Sequence, residues 1–160
     1  MAEDLAKKFG FANGDGEAII DFARQFLGCC EANGSANKFV GGGSSSATPW
    51  CAAFVSYVLQ NSGEYNDVAD WYKNVGNKWY CQNIYDAAKG ANAFVSSSQA
   101  QAGDLVLFDR GGDGHQDHIG IVIGVDSNGT VHTIEGNTSN QVAERTYNGT
   151  SGMSFARVFR

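Results

Sequence analysis

The hydrophobic rhythm of the chain changes near residue 100. Before it, apolar residues recur at helical spacing: Ile19, Ile20, Ala23, Phe26 and Leu27 share one face of a helix expected over 17–27. From Cys51 to Leu59 the chain is apolar almost all round, with Ser56 and Gln60 as its polar breaks and Asn61-Ser62-Gly63 as its end. That pattern predicts a helix enclosed in a core rather than lying on a surface. Shorter helical pieces are expected at 2–9, stopped by Gly10, and at 68–75 and 84–89. From residue 103 the period shortens. Strands are expected at 103–108, at the β-branched run 118–125, at 131–137 and at 154–159. Asp126-Ser127-Asn128-Gly129 and Asn148-Gly149 supply the tight turns between them. Helices first and strands afterwards predict an α+β domain, with N-terminal helices packed on a C-terminal antiparallel sheet. Residues 1–15 read as an extension and 16–160 as the domain itself, with a loop rich in Gly, Ser and Asn at 33–47 leading into the buried helix.

The start of that helix carries the first candidate chemistry. Thr48 suits an N-cap and Pro49 the first helical position, which sets Cys51 in the first turn. Unpaired N–H groups and the positive end of the helix dipole favour thiolate there. A free thiol with a pKa of about 8.5 is only slightly ionised at neutral pH, so such a shift makes a nucleophile. A buried structural cysteine fits this segment equally well. The strands separate the two readings. His118 stands at the mouth of the β-branched strand, and Glu135 and Asn137 point to one side of the next strand if it stays extended. Thiol, imidazole and carboxylate are the parts of a nucleophile–base–orienter triad. The rival histidines fit less well: His115 lies in a glycine-rich loop, and His132 faces away from Glu135 by alternation. An oxyanion would meet the Cys51 N–H first; Asn37, a serine of 44–46 or Asn137 is the candidate second donor.

Four segments together carry a family resemblance. Trp50-Cys51-Ala52-Ala53-Phe54-Val55, then Gly103-Asp104-Leu105-Val106-Leu107-Phe108, then Asp117-His118-Ile119-Gly120-Ile121-Val122, then Ile134-Glu135-Gly136-Asn137-Thr138 resemble the CHAP family in order and approximate spacing. These are the cysteine, histidine-dependent amidohydrolases/peptidases that cleave peptidoglycan. The similarity spans roughly residues 16–160 and implies a papain-like (CHAP/NlpC-type) fold. It places the family's catalytic cysteine, histidine, acid and asparagine on Cys51, His118, Glu135 and Asn137. Further, it implies cleavage of an amide or peptide bond in the bacterial wall, either an N-acetylmuramoyl-L-alanine amidase or an endopeptidase activity. The alternatives are an NlpC-type cell-wall peptidase, with a different third polar residue, and a catalytically inactive module that binds wall or calcium. The family implies no obligatory cofactor, although some members bind calcium near the active site.

Composition narrows this further. The 160 residues form one domain with a net charge of −6, which speaks against nucleic acid and gives no attraction to an anionic wall. A separate cell-wall-binding module is therefore expected to bring the enzyme to its substrate, and the domain itself to act as a monomer. No run approaches the roughly eighteen apolar residues of a membrane span. Residues 1–10 lack the apolar core of a secretory signal, so a phage-encoded enzyme such as an endolysin, or an excised domain, acting at the bacterial cell wall, is expected. Asp109, Asp113 and Asp117 match part of a calcium loop, but Gly111 and Gly120 stand where further acids belong; a turn in which the aspartates bond their own backbone is the other reading. Cys29, Cys30 and Cys81 read as small apolar residues, with a bridge from the first two to Cys81 left open, and no spacing suits zinc. Trp50 and Trp79 are the candidate aromatic walls of a substrate groove.

Overall fold

The buried helix is the element on which the sheet is seated. The computed structural model describes residues 14–160, so the helix expected at 2–9 lies outside the described residues. Helix α1 (Gly14–Arg24) buries Ile19, Ile20 and Ala23 and carries Asp15 and Glu17 in its first turn, where the dipole favours acids. It therefore runs through the expected boundary at residue 15. It also ends before Leu27, which is solvent-exposed. Helix α2 (Cys51–Asn61) buries Cys51, Ala52, Ala53, Phe54, Val55, Ser56, Val58 and Leu59. Short α3 (Asp70–Lys73) and the amphipathic α4 (Cys81–Gly90), which buries Cys81, Ile84 and Ala88, complete the helical part.

The start of α2 differs from the expected one. Thr48 is extended, with φ −136° and ψ 126°, and the N-cap residue is Trp50, whose carbonyl accepts the Phe54 N–H at 2.9 Å. Cys51 is consequently the first helical residue, not the third. The reason lies in the Trp50 side chain. Its indole is fully buried, stacked on Phe39 at 5.6 Å between centroids, and its Nε1–H donates to Glu31 Oε2 at 2.9 Å. An anchored side chain fixes the cap residue more firmly than Thr48 would.

Among the described residues, six strands form one antiparallel sheet: β1 (Phe94–Val95), β2 (Leu105–Phe108), β3 (His118–Val125), β4 (Val131–Thr138), β5 (Gln141–Tyr147) and β6 (Met153–Ala156). Their spatial order is β1-β6-β2-β3-β4-β5. Strands β1 and β5 go beyond the pattern read from the sequence. Two residues are too few to show a period, and β5 is an edge strand in which only Val142 is buried, so its apolar alternation is weak.

Alternation divides the sheet into two faces. Leu105, Leu107, Ile119, Ile121, Ile123 and Ile134 join the helices in the main core. Val106, Phe108, Val122, Val131 and Phe155 make a smaller cluster on the opposite face. Helix α2 packs across β3 and β4, and Gly136 sets how closely. A Cβ there would collide with Phe54 Cβ and Cγ and stand 3.0 Å from Trp50 Cζ3. Only the missing side chain lets the first turn of α2, with Cys51, lie against β4. Gly136→Ala is expected to destabilise the domain by about 1–3 kcal/mol, the usual range for overpacking. A urea midpoint unchanged from wild type would show that the seat is looser than this.

Candidate active site

Three elements bring the nucleophile candidate and its partners together. Cys51 is set by the helix start, His118 is the first residue of β3, and Glu135 lies on β4. The Cys51 thiol and the His118 imidazole are close enough for each to shift the other's pKa. His118 Nε2 lies 2.7 Å from Glu135 Oε1. With Nε2 engaged by the carboxylate, Nδ1 is the ring nitrogen left for another partner. The β3–β4 register, Ile121 opposite Ile134 and Val122 opposite Thr133, sets Gly120 across from Glu135 when continued by one pair. A Cβ at Gly120 would stand 2.7 Å from Glu135 Cγ. The bare glycine therefore leaves the path along which the carboxylate crosses to the histidine.

Glu135 is fully buried, which is costly for a charge without partners. Its other oxygen accepts from Thr133 Oγ1 at 2.5 Å and from Tyr147 OH at 2.7 Å. Burial alone would raise its pKa, but the His118 hydrogen bond and charge, with Thr133 and Tyr147, bring it below the usual carboxylate value. His118 is buried too, which disfavours its charge; the hydrogen bonds to Cys51 and Glu135 outweigh this and raise it to about 9. Cys51 is lowered to about 5, chiefly by a hydrogen bond from the Cys81 thiol, whose Sγ lies 3.6 Å away. Burial opposes that shift; the bond and charge of His118 and the Ala52 N–H add to it. Cys81, in turn, is pushed up by its bond to Cys51 and by burial. Both sulfurs belong to the first residue of a helix. Only Cys51 also meets an imidazole, so Cys51 is the one that ionises. Thiol, imidazole and carboxylate thus form a buried set whose shifts favour thiolate and imidazolium, an arrangement suited to nucleophilic attack and proton return.

Comparison with known proteins bears on what this line is for. The CHAP domain family model matches residues 43–137, more than half of the chain. The chain belongs to the CHAP family. Among solved structures it is similar to an N-acetylmuramoyl-L-alanine amidase from Staphylococcus aureus, with 20% identity and a TM-score of 0.50, over 68% of this chain and 30% of that one. At that identity the likeness speaks for the fold, and the chain corresponds to less than a third of the longer protein. No match was found among curated proteins.

The CHAP match spans Cys51, His118, Glu135 and Asn137, of which the structure joins the first three. Asn137 sits in the β4–β5 irregularity between Glu135 and Thr138, with a left-handed φ of 53°, and its side chain makes no hydrogen bond to His118. Sequence alternation put it beside Glu135; the bulge breaks that alternation.

A groove of about 510 Å³ opens at Cys51, walled by Pro49, Trp79, Tyr80, Cys81, His115 and Gln116 among others. Trp79 stands in it, 40% exposed. Trp50 does not, and the expectation for it is corrected: the residue before Cys51 is wholly enclosed by its stacking on Phe39 and its bond to Glu31. Asn37 and Ser45 bond each other, with Asn37 Oδ1 accepting from Ser45 N at 2.9 Å and from Ser45 Oγ at 2.7 Å. Ser44 and Ser46 likewise pair at 2.9 Å.

Asp109, Asp113 and Asp117 are not gathered into one ligand set among the described residues. Asp109 accepts from the Asp113 and Gly114 N–H groups, and Asp113 accepts from His115 N–H. Asp117 holds Arg110 through its backbone N–H and Nε, both at 2.8 Å. His132, away from the site, pairs with Asp126 at 3.0 Å.

Thr133 and Tyr147 went unread in the sequence, and Cys81 was read there only as a small apolar residue or a bridge partner of Cys29 or Cys30; all four cysteines are free. Thr133 shares a face with Glu135 by alternation and was legible there. Tyr147 needs the β4–β5 register, and Cys81 needs the tertiary approach of α4, neither of which local pattern supplies.

Two measurements probe this arrangement. Alkylation of Cys51 by iodoacetamide should rise with a midpoint near pH 5, and turnover should fall again near pH 9 as His118 loses its proton. In His118→Ala the alkylation midpoint should move up; an unshifted midpoint near that of a free thiol in wild type would contradict the ion pair. Tyr147→Phe removes one of the donors to Glu135 and should cost about 1 kcal/mol, roughly a few-fold to tenfold in turnover. Unaltered turnover in that variant would show that Tyr147 does not steady the acid.

Proposed function

We propose that this CHAP chain is a cysteine-dependent peptidoglycan hydrolase that cleaves an amide bond of the wall through an acyl-enzyme. The observation that carries the reading is the Cys51–His118–Glu135 line at the end of an aromatic-walled groove. The family and the amidase of similar fold support the substrate class.

In this mechanism the Cys51 thiolate attacks the carbonyl carbon of the scissile amide. The developing oxyanion meets the Cys51 N–H, which has no intrahelical acceptor at the first helical position. The imidazolium of His118 then gives its Nδ1 proton to the departing amine, and a thioester remains on the sulfur. Water, activated by the now neutral ring, attacks the thioester and frees the acid. Glu135 stays ionised throughout and keeps Nε2 protonated, so the reactive nitrogen always faces the sulfur. No step draws on a metal. Trp79 and Tyr80 offer exposed rings to sugar or stem peptide, and a separate wall-binding module supplies the attraction that a net charge of −6 does not.

Purified peptidoglycan incubated with the chain should yield new muropeptides that mass spectrometry resolves. Free stem peptides with an L-alanine amino terminus identify the amidase reaction; ends within the stem or cross-bridge identify the endopeptidase reaction. Cys51→Ala should leave the wall intact. If wild type, like Cys51→Ala, releases no muropeptides, the chain is a binding module and not an enzyme.

A further inference from the structure

The second thiol lining the groove donates to Cys51 but makes and breaks no bond in the hydrolysis just described. Cys81 Sγ and Cys51 Sγ lie 3.6 Å apart, and both residues are about equally enclosed, with 7% of their surface exposed. Each opens its own helix, so two helix N-termini are directed at one pair of sulfurs. Both residues line the same open groove, which gives a small solute access to them. The other two cysteines are engaged elsewhere: Cys29 Sγ accepts from Lys38 Nζ at 3.5 Å, and Cys30 Sγ bonds Asn33 Oδ1 at 3.4 Å. A disulfide needs its sulfurs at about 2.05 Å, so this pair must close by roughly 1.5 Å.

We propose that Cys51 and Cys81 form a reversible oxidation site, at which a hydroperoxide oxidises the Cys51 sulfur and Cys81 then closes a disulfide on it. This rests on Cys51 being the nucleophile. The Cys51 thiolate attacks the near oxygen of the peroxide, the O–O bond breaks, and hydroxide (or alkoxide) leaves with the electron pair. Cys51 becomes a sulfenic acid. The Cys81 sulfur next attacks the sulfenic sulfur, the S–O bond breaks, and the oxygen leaves as water with the Cys81 proton. In sum, two thiols and one peroxide give one disulfide and two molecules of water (one water and one alcohol from an alkyl peroxide). A dithiol reductant reverses it by exchange, forming its own disulfide and returning both thiols. The neighbouring thiol thus stops oxidation of the nucleophile at a recoverable stage; an unpartnered sulfenic acid proceeds to sulfinic acid, which thiols do not reduce. The disulfide removes the thiolate, so the oxidised chain is inactive until reduced.

The full chain is treated with a small excess of hydrogen peroxide, blocked with an alkylating agent, digested and read by mass spectrometry. The expected product is a cross-linked pair of peptides carrying Cys51 and Cys81, lighter by two hydrogen atoms than the sum of the reduced peptides. Loss of wall hydrolysis should follow the cross-linked fraction, and dithiothreitol should restore both. In Cys81→Ser, Cys51 should instead acquire oxygen atoms, and dithiothreitol should not restore activity. A wild-type chain whose Cys51 advances to sulfinic acid without the cross-link, or joins Cys29 or Cys30, overturns the proposal, and this readout stands even if Cys81→Ser does not fold. Because the cross-link is read on peptides, a chain that cross-links yet digests no wall contradicts the hydrolase reading alone. One that digests wall but never cross-links contradicts this inference alone.

Discussion

Burial of the Glu135 carboxylate governs the arrangement of the site. A charge enclosed on every side persists only where its oxygens are met by donors, and here three of them converge from three places: His118 at the start of β3, Thr133 two residues back on β4, and Tyr147 at the end of β5. The strand registers follow from this requirement as much as from apolar packing. A slip of one residue in β3 would turn His118 to the opposite face of the sheet and leave the acid without its cationic partner. Gly120 is part of the same constraint, because a side chain there would occupy the space the carboxylate crosses. The smaller apolar cluster seals the result. Phe108 packs its ring at 5.5 Å from that of His118 and at 5.3 Å from that of Tyr147, keeping water from the ion pair.

Against this fixed acid, the sulfur gains its reactivity from the helices. The start of α2 supplies the Ala52 N–H and the positive end of a dipole, while the Cys81 thiol at the start of α4 donates from the other side. In the proposed ionised form, negative sulfur, positive ring and negative carboxylate alternate in a line. Each neighbour stabilises the ionised form of the next, which is why thiol and imidazole shift in opposite directions. Trp50 matters to this through packing: its buried indole and the gap at Gly136 fix where the helix begins, and hence where the sulfur stands.

How much of this was legible in the sequence depends on the range of each cause. Cys51 in the first turn of an enclosed helix, His118 at a strand mouth and Glu135 on the adjacent strand each follow from local periodicity, as does the α+β order of the fold. The aromatics were harder, because exposure is decided by what packs opposite: Trp50 is enclosed by Phe39 and anchored on Glu31, whereas Trp79 remains open to the groove. Asn137 falls at the register shift between Glu135 and Thr138, where strict alternation no longer applies. Tyr147 and Cys81 depend on a register and on a helix-to-helix approach, which no window of sequence contains.

The loop ahead of His118 shows how acidic residues can serve a site without touching its chemistry. Residues 109–117 join β2 to β3, and any slack in them would reach the imidazole. Asp117, the residue just before it, gives its N–H to Phe108 O at 2.8 Å and holds the Arg110 backbone and guanidinium with its carboxylate. Asp109 gathers the turn by accepting from Asp113 and Gly114, and Gln82 on α4 accepts the Gln116 N–H at 2.8 Å. A carboxylate oxygen already accepting from backbone N–H groups keeps less of its lone-pair capacity for a cation. For these aspartates to close around calcium, the bonds that brace the loop would have to open, and the support of His118 would change with them. In the geometry described here, the acids pin both ends of the loop, so the ring meets the sulfur from a fixed base.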